Sequence, residues 1–362
     1  MKKYDERETL FSRIGLVKGS KEYEDFYRKN PDYQLNDDHL RGISFRDNLN
    51  EDNNFKKLFS PLISNNKLFI KSLHDLVDNY AVKEKQNISK SFSENIKEIT
   101  KYYGATNVGI TTLDESSYYS HRGGLSEALG IDSYNQKIKA NYKTAIVFTI
   151  KMDLEMMNRA PHFEELLATE EGYLKVAQVG ARLSVYLKSL GYDAFLNSSE
   201  LYLAPLVPLA YDAGLGEIGL SNHLVTLEHG DNVRLGAVFT NLELEPDSPI
   251  DFGLVEFCKR CSLCLINCPT NCITHLPRIV NGRKFYKFDD VLCYEMWTKV
   301  GTDCGVCLQS CPLTQGVDLK KAEKMKDNPA LMDEIVKEHL EKYGRRKYTE
   351  NPLKIVSLKG EK

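Results

Sequence analysis

The chain has 362 residues, 42% of them hydrophobic and 27% charged, and its 48 basic and 51 acidic side chains leave a net charge of -3. That length and balance support a proper core, as one large domain or two to three smaller ones, and exclude disordered and fibrous architectures. No field of one sign attracts nucleic acid or anionic lipid by composition alone, so any partner must be recognised locally.

Residues 1–100 are polar and helix-prone, punctuated at Asn36 to Asp38 and Asn48 to Asn54, and read as an irregular helical cap. Met1 to Arg7 has no apolar stretch behind its charges, and no apolar run approaches the roughly 20 residues that cross a bilayer. The chain is therefore expected to be cytoplasmic, without a transmembrane segment.

From residue 101 the pattern changes. Val108 to Leu113 and Ala145 to Ile150 are short β-branched runs bounded by Gly, Asp and Lys, which suits buried strands. Phe163 to Leu190 has a helical period, with Gly191 where a C-terminal cap would stand. One stripe of that helix, Tyr173, Ala177, Gly180, Ser184 and Leu187, is small below the tyrosine, which permits either tight helix packing or close approach of a flat group. Tyr192 to Leu196, His223 to Leu227 and Val233 to Thr240 supply further strands. Interleaved in this way, strands and helices predict an α/β layered core over residues 101–249. Glu243 to Pro249, with two prolines and three acids, reads as a linker, and Asp318 to Tyr343 as one charged amphipathic helix within a C-terminal segment, 318–362.

The cysteines carry the chemistry. All nine lie between Cys258 and Cys311, a clustering that points to metal rather than to a disulfide scaffold. Cys258-x2-Cys261-x2-Cys264-x3-Cys268-Pro269 is the spacing with which bacterial ferredoxins hold a [4Fe-4S] cube, the fourth cysteine serving a second cluster. Cys304-x2-Cys307-x3-Cys311-Pro312 repeats the last three positions, but Gly301 stands where the first cysteine would be, leaving Cys293 as the upstream candidate. Crossed ligation gives one cube Cys258, Cys261, Cys264 and Cys311, and the other Cys268, Cys304, Cys307 and Cys293. Cys272 is left over, and as a small buried hydrophobe it needs no ligand role. Zinc also uses Cys-x2-Cys pairs, but two x3-Cys-Pro endings favour two [4Fe-4S] clusters over residues 250–317. Such a pair is an electron wire, which requires a redox centre at its end.

Gly214-Leu215-Gly216-Glu217-Ile218-Gly219 has the Gly-x-Gly-x-x-Gly form of a dinucleotide loop, yet it follows a proline-containing stretch, Pro205 to Ala210, and lacks a βαβ frame. It reads instead as a glycine-lined loop near some cofactor. The Asn222-His223 pair offers one imidazole, more in keeping with a structural role than with ligation.

Asp5 to Phe11, Lys18 to Tyr27, Ala204 to Glu217 and Val233 to Val238, together with the cysteine segment and its truncated second motif, resemble the corrinoid-dependent reductive dehalogenases, which are related to epoxyqueuosine reductases. The resemblance implies an α/β fold with a nitroreductase-like core holding base-off cobalamin near Gly214, Leu215, Gly216, Glu217 and Gly219, and a C-terminal bacterial ferredoxin-like domain delivering electrons. Carried over residue by residue, it implies Tyr173 as proton donor, Thr169 one turn earlier, Asn197 as an orienting amide and Arg234 as the cation that stabilises the phenolate. Without the resemblance, Tyr173 reads as a core residue and Arg234 as an ion-pair partner. The implied reaction removes a halide from a small organohalide, with a reduced ferredoxin or flavodoxin as electron donor, no nucleic acid, and a possible dimer. Trp297, the only tryptophan, lies between Cys293 and Cys304 and would pack against a cluster. Two other readings compete. An epoxyqueuosine reductase-like enzyme would need a catalytic Asp where Asn197 to Pro205 offers only Glu200, and a non-catalytic electron carrier or corrinoid-reactivating protein would use the clusters alone.

Overall fold

The computed structural model describes residues 3–44, 49, 51–124 and 133–357, so the Asn48 to Asn54 punctuation and the two chain ends lie partly outside the described residues. The polar N-terminal region is helical, as its composition predicts: α1 (Leu10–Gly15), α2 (Lys21–Lys29), α3 (Pro31–Leu40), α4 (Asn53–Asn79) and α5 (Ser93–Tyr102) precede the first strand. Arg13 of α1 ties that helix to α3. Its side chain is 2% exposed and pairs with the fully buried Asp37 at 2.9 Å.

The layered core follows in the order β1 (Asn107–Thr112), β2 (Thr144–Lys151), α6 (Leu154–Met157), α7 (Phe163–Ser189), β3 (Ala194–Asn197), α8 (Leu206–Asp212), β4 (Glu217–Ile218), β5 (Leu224–Val225) and β6 (Val233–Thr240). The main sheet runs β1-β2-β6-β3, and its neighbouring strands pair antiparallel. Period-two alternation sends Ile146, Phe148 and Ile150 to the face that packs with Val176, Val179 and Leu183 of α7. Ala145 and Val147 point the other way, into the cluster formed with Leu209, Ala210 and Ala213 around α8. Both faces are covered, which is why these strands read as continuous apolar runs rather than as alternating ones.

The small-residue stripe of α7 serves this packing. A Cβ on Gly180 would stand 2.3 Å from Leu196 Cδ1, and one on Gly236 of β6 would stand 2.5 Å from the Phe148 ring. Ala177, Ser184 and Leu187 are fully buried. The stripe therefore meets the sheet and leaves no room for a flat macrocycle, so of the two uses it permits the chain realises helix packing.

The cysteine segment holds α9 (Leu254–Cys261), α10 (Leu263–Asn267), β7 (Ile273–Val280), β8 (Arg283–Phe288), α11 (Asp290–Val300) and α12 (Val306–Gln309). The β7–β8 hairpin turns at Asn281 and Gly282, both with positive φ (49° and 79°), the Asn-Gly pairing of a type I′ turn. Asn222 anchors it, its amide donating to the Tyr286 carbonyl at 3.0 Å and accepting from the Tyr286 N–H at 2.8 Å. After Cys311 the expected single helix is two, α13 (Leu319–Glu323) and α14 (Pro329–Tyr343). Asp327 adopts φ 55° and Pro329 occupies the first turn of α14, so the helix breaks at Asp-Asn-Pro.

Gly109 of β1 faces the last turn of α8, where the Ala213 carbonyl oxygen would lie 2.1 Å from an added Cβ. Because backbone cannot yield as a side-chain tip does, Gly109→Ala should destabilise the chain by about 1–3 kcal/mol. Denaturant midpoints check this, and an unchanged midpoint would mean that α8 is not held against β1.

Candidate functional site

Glu165, Thr169 and Tyr173 are spaced at i, i+4 and i+8 on α7 and so share one face. β6 brings Arg234 against that face. Its Nη2 donates to Thr169 Oγ1 at 2.5 Å, and its guanidinium lies over the Tyr173 ring, 4.8 Å from the centroid. The Thr169 hydroxyl in turn donates to Glu165 Oε1 at 3.2 Å, and Asp303, just before Cys304, approaches Arg234 to 3.9 Å. Gly172 makes the approach possible, since a Cβ there would meet Arg234 Cγ at 2.8 Å. Two buried polar atoms of this group, Arg234 Nε and Glu165 Oε2, have no hydrogen-bond partner. Orphans of this kind are costly unless a ligand or water satisfies them.

The electrostatics run in opposing directions. Arg234 pulls the Tyr173 hydroxyl down most strongly, but burial and the negative charges of Asp303, Glu170 and Glu165 outweigh it, and the net shift is upward from 10.0. The expectation that Arg234 makes Tyr173 a stronger acid thus holds for the pair and not for the whole surroundings. Burial, and then the charge of Asp303, push the Glu165 carboxyl up to about 8 against the pull of Arg234 and Thr169. Neither Glu165 nor Asp303 was singled out from the sequence. The signal available for Glu165 was its spacing from Thr169 and Tyr173 along one helix face.

Asn197 lies elsewhere. It is fully buried in β3, where its side-chain oxygen accepts from the Leu203 N–H at 2.9 Å, an amide spent on fixing the following loop. The structure brings Thr169, Tyr173 and Arg234 together, and the Asn197 amide is bonded to Leu203 and does not line the cavity of Tyr173 and Arg234.

The glycine loop closes on its own chain. Added Cβ atoms would stand 2.5 Å from the Ser248 carbonyl oxygen at Gly214, 2.3 Å from the Val225 carbonyl oxygen at Gly216 and 2.8 Å from Val225 Cγ2 at Gly219. Leu215 is core, at 7% exposure. Glu217 accepts from the backbone N–H groups of Phe252, at 2.8 Å, and Leu254, at 3.2 Å, capping the helix that carries Cys258 and Cys261.

The nine cysteines are free thiols. They fall into two neighbourhoods. Burial pushes the Cys264 thiol well up, with Cys258, Cys311 and Cys261 as further contributors, and Cys311 likewise feels Cys261 and Cys258. Cys268, Cys272, Cys293, Cys304 and Cys307 line a cavity of about 180 Å³ together with Tyr173, Arg234 and Trp297. Trp297 also packs on Phe11 and Tyr294, each ring centroid 5.9 Å away.

These donors fit iron–sulfur clusters. Clustered thiols pushed up by burial stay neutral unless a cation compensates them, and metal binding supplies that compensation. Four thiolates on one zinc would sit about 4 Å apart at the usual bond length, and among the described residues no three His, Cys, Asp or Glu side chains converge on a single ion. A corrinoid fits less well. Drug-sized ligands take roughly 300–1,000 Å³ and a corrin macrocycle is no smaller, so the cavity at Tyr173 as it stands is too small for one, and the glycines expected to cradle it are filled by the chain itself.

No family model matches the chain. Over 182 residues it is 36% identical to the tetrachloroethene reductive dehalogenase of Sulfurospirillum multivorans, a match covering 48% of this chain and 36% of that protein. It is 30% identical over 164 residues to the epoxyqueuosine reductase of Lactococcus garvieae, covering 43% of this chain and 44% of that one. Among solved structures, the catabolic reductive dehalogenase NpRdhA in complex with 3-bromo-4-hydroxybenzoic acid superposes with a TM-score of 0.73 over 94% of this chain and 46% of that chain, at 21% identity, a likeness of fold. The chain spans less than half the length of these proteins. The resemblance read from the sequence is borne out: the chain is a relative of reductive dehalogenases, with epoxyqueuosine reductases as more distant relatives.

The Glu165 shift has a consequence for stability. A carboxyl raised from 4.5 to about 8 on folding contributes stability that is complete below pH 4.5 and declines as the pH climbs to about 8. Glu165→Gln removes that slope, so the stability of the variant should gain on the wild type between those limits, by at most about 1.4 kcal/mol per pH unit, and level off above them. Urea denaturation at pH 5 and pH 8.5 reads the difference. Parallel curves would show that Glu165 ionises alike in both states.

Proposed function

We propose that the chain is the reducing core of an oxidoreductase that removes a halide from a small organohalide, with electrons relayed through two [4Fe-4S] clusters and with Tyr173 as proton donor. The observation that carries this reading is the shared cavity, which Tyr173 and Arg234 line from one side and five cysteines from the other. The domains follow: a helical cap (1–100), a nitroreductase-like core (101–249), a ferredoxin-like unit (250–317) and a C-terminal helical segment (318–362). Cys258, Cys261, Cys264 and Cys311 are assigned to one cluster, and Cys268, Cys304 and Cys307 with Cys293 to the other, and when bound these supply single electrons. A reduced ferredoxin or flavodoxin would feed them in the cytoplasm, and the described residues include no helix long and apolar enough to cross a membrane.

Tyr173 suits the role because its hydroxyl stays protonated at neutral pH. It can hold the proton until negative charge develops on the substrate. Arg234 over the ring then stabilises the phenolate left behind, Thr169 fixes the guanidinium, and Asp303 balances its charge. Cobalamin, base-off as the resemblance implies, enters from the relatives, one solved reductive dehalogenase being described in terms of B12-dependent dehalogenation. It requires the wall between Tyr173 and the cysteine segment to stand further apart than it does here.

General acid catalysis contributes roughly 10²- to 10⁴-fold, about 3–5 kcal/mol of barrier. Tyr173→Phe should lower turnover of an organohalide by that factor while iron content stays unchanged. Phenylalanine keeps the packing, so near-normal rates would reduce Tyr173 to a core residue. Anaerobic reconstitution with cobalamin should give the base-off cobalt spectrum. A cluster-loaded chain that binds no corrinoid would instead behave as an electron carrier.

A further inference from the structure

Three cysteines, Cys268, Cys304 and Cys307, account for three irons of the second cluster, and two more thiols compete for the fourth. Cys272 is 3% exposed, and its Sγ lies 3.3 Å from Cys268 Sγ. It opens onto the same cavity as Cys293. One residue aligns the pair: the Asp289 N–H donates to the Cys272 carbonyl at 3.0 Å, and the Asp289 carbonyl accepts from the Cys293 N–H at 3.2 Å. The β7–β8 hairpin thus begins and ends at the cluster cell, with Cys272 at its entry and Cys293 just past its exit. Cys272 shares its core cluster with Leu220, Ile273 and Tyr286, but its sulfur faces that of Cys268.

We propose that Cys272 and Cys293 are interchangeable ligands of the fourth iron of the second cluster, an inference that rests on the cluster reading above. In the exchange one iron–thiolate bond breaks and another forms, the incoming thiol gives up its proton and the departing thiolate takes one. The oxidation state of the iron does not change. The thiol not bound donates its S–H to the bound sulfur, and hydrogen bonds to cluster sulfurs are among the factors that set cluster potentials. The exchange therefore gives the cluster nearest Tyr173 two ligand states.

The test is iron and acid-labile sulfide content of the full chain, purified anaerobically, as wild type, Cys272→Ala, Cys293→Ala and the double variant. Two cubes bring about eight irons, so wild type and both single variants should hold about eight and the double variant about half as many. Loss of a cluster in either single variant alone overturns the exchange, as does a double variant that keeps both. Electron paramagnetic resonance of the reduced proteins gives a readout independent of how well the double variant folds. Each single variant should show its own second-cluster signal and the wild type a mixture of the two; a wild-type signal matching one variant alone overturns the proposal. A wild type that takes up no iron overturns the cluster reading and the exchange with it, whereas loss confined to one single variant leaves the cluster reading standing.

Discussion

The close approach of α7 to the sheet is the constraint on which the rest depends. Gly180 admits Leu196 of β3, Gly236 of β6 admits Val176, and Gly172 admits the Arg234 stem, so the helix meets the sheet closely at three points. Packing at that density leaves few alternative positions for the side chains it carries. Tyr173 and Arg234 are held at 4.8 Å from ring centroid to guanidinium as a by-product of core packing, with no loop required to place them. Preorganised geometry of this kind is what a proton donor needs.

Around that contact the chain buries charge in a balanced group. Arg234 faces Glu165, Asp303 and the Tyr173 hydroxyl, and a buried charge survives only when it is paired and hydrogen-bonded. Burial, and then the charge of Asp303, outweigh the pull of Arg234, so Glu165 holds its proton to about pH 8. Asp303 also links the site to the cysteine segment, since it precedes Cys304 directly. The Tyr173–Arg234 face and the cysteine segment therefore share a wall.

What the sequence made legible follows from periodicity and spacing. The short apolar runs gave β1, β2 and β6 nearly to the residue because strands covered on both faces are mostly apolar, and even Thr111, Thr149 and Thr240 are buried. Thr169, Tyr173 and Arg234 emerged from the family resemblance and do meet. Asn197 was carried over with them, yet its amide binds Leu203, and nothing in an Asn-Ser-Ser string tells which side chain turns inward. Glycine marks any close backbone approach, and at the glycine loop the approaching atoms include Val225 and Ser248 of the same chain. The β7–β8 hairpin is marked in the sequence only by Asn281-Gly282, a strong turn signal that cysteine spacing does not use.

The hairpin changes how the cysteine segment must be understood. Spacing along the chain treats Cys293 as remote, 21 residues beyond Cys272, but an antiparallel pair of strands returns the chain to its starting point, so the two thiols are neighbours in space. With the rest of the set they form a nest of sulfurs, several of them pushed up to about 11 or 12 and so neutral until a metal arrives. Ligation must then release protons and compensate buried charge in one step, which couples cluster assembly to the integrity of this part of the fold. The walls of the Tyr173 cavity are these same cysteines, so the shape of the space offered to a substrate is set by whatever the sulfurs hold.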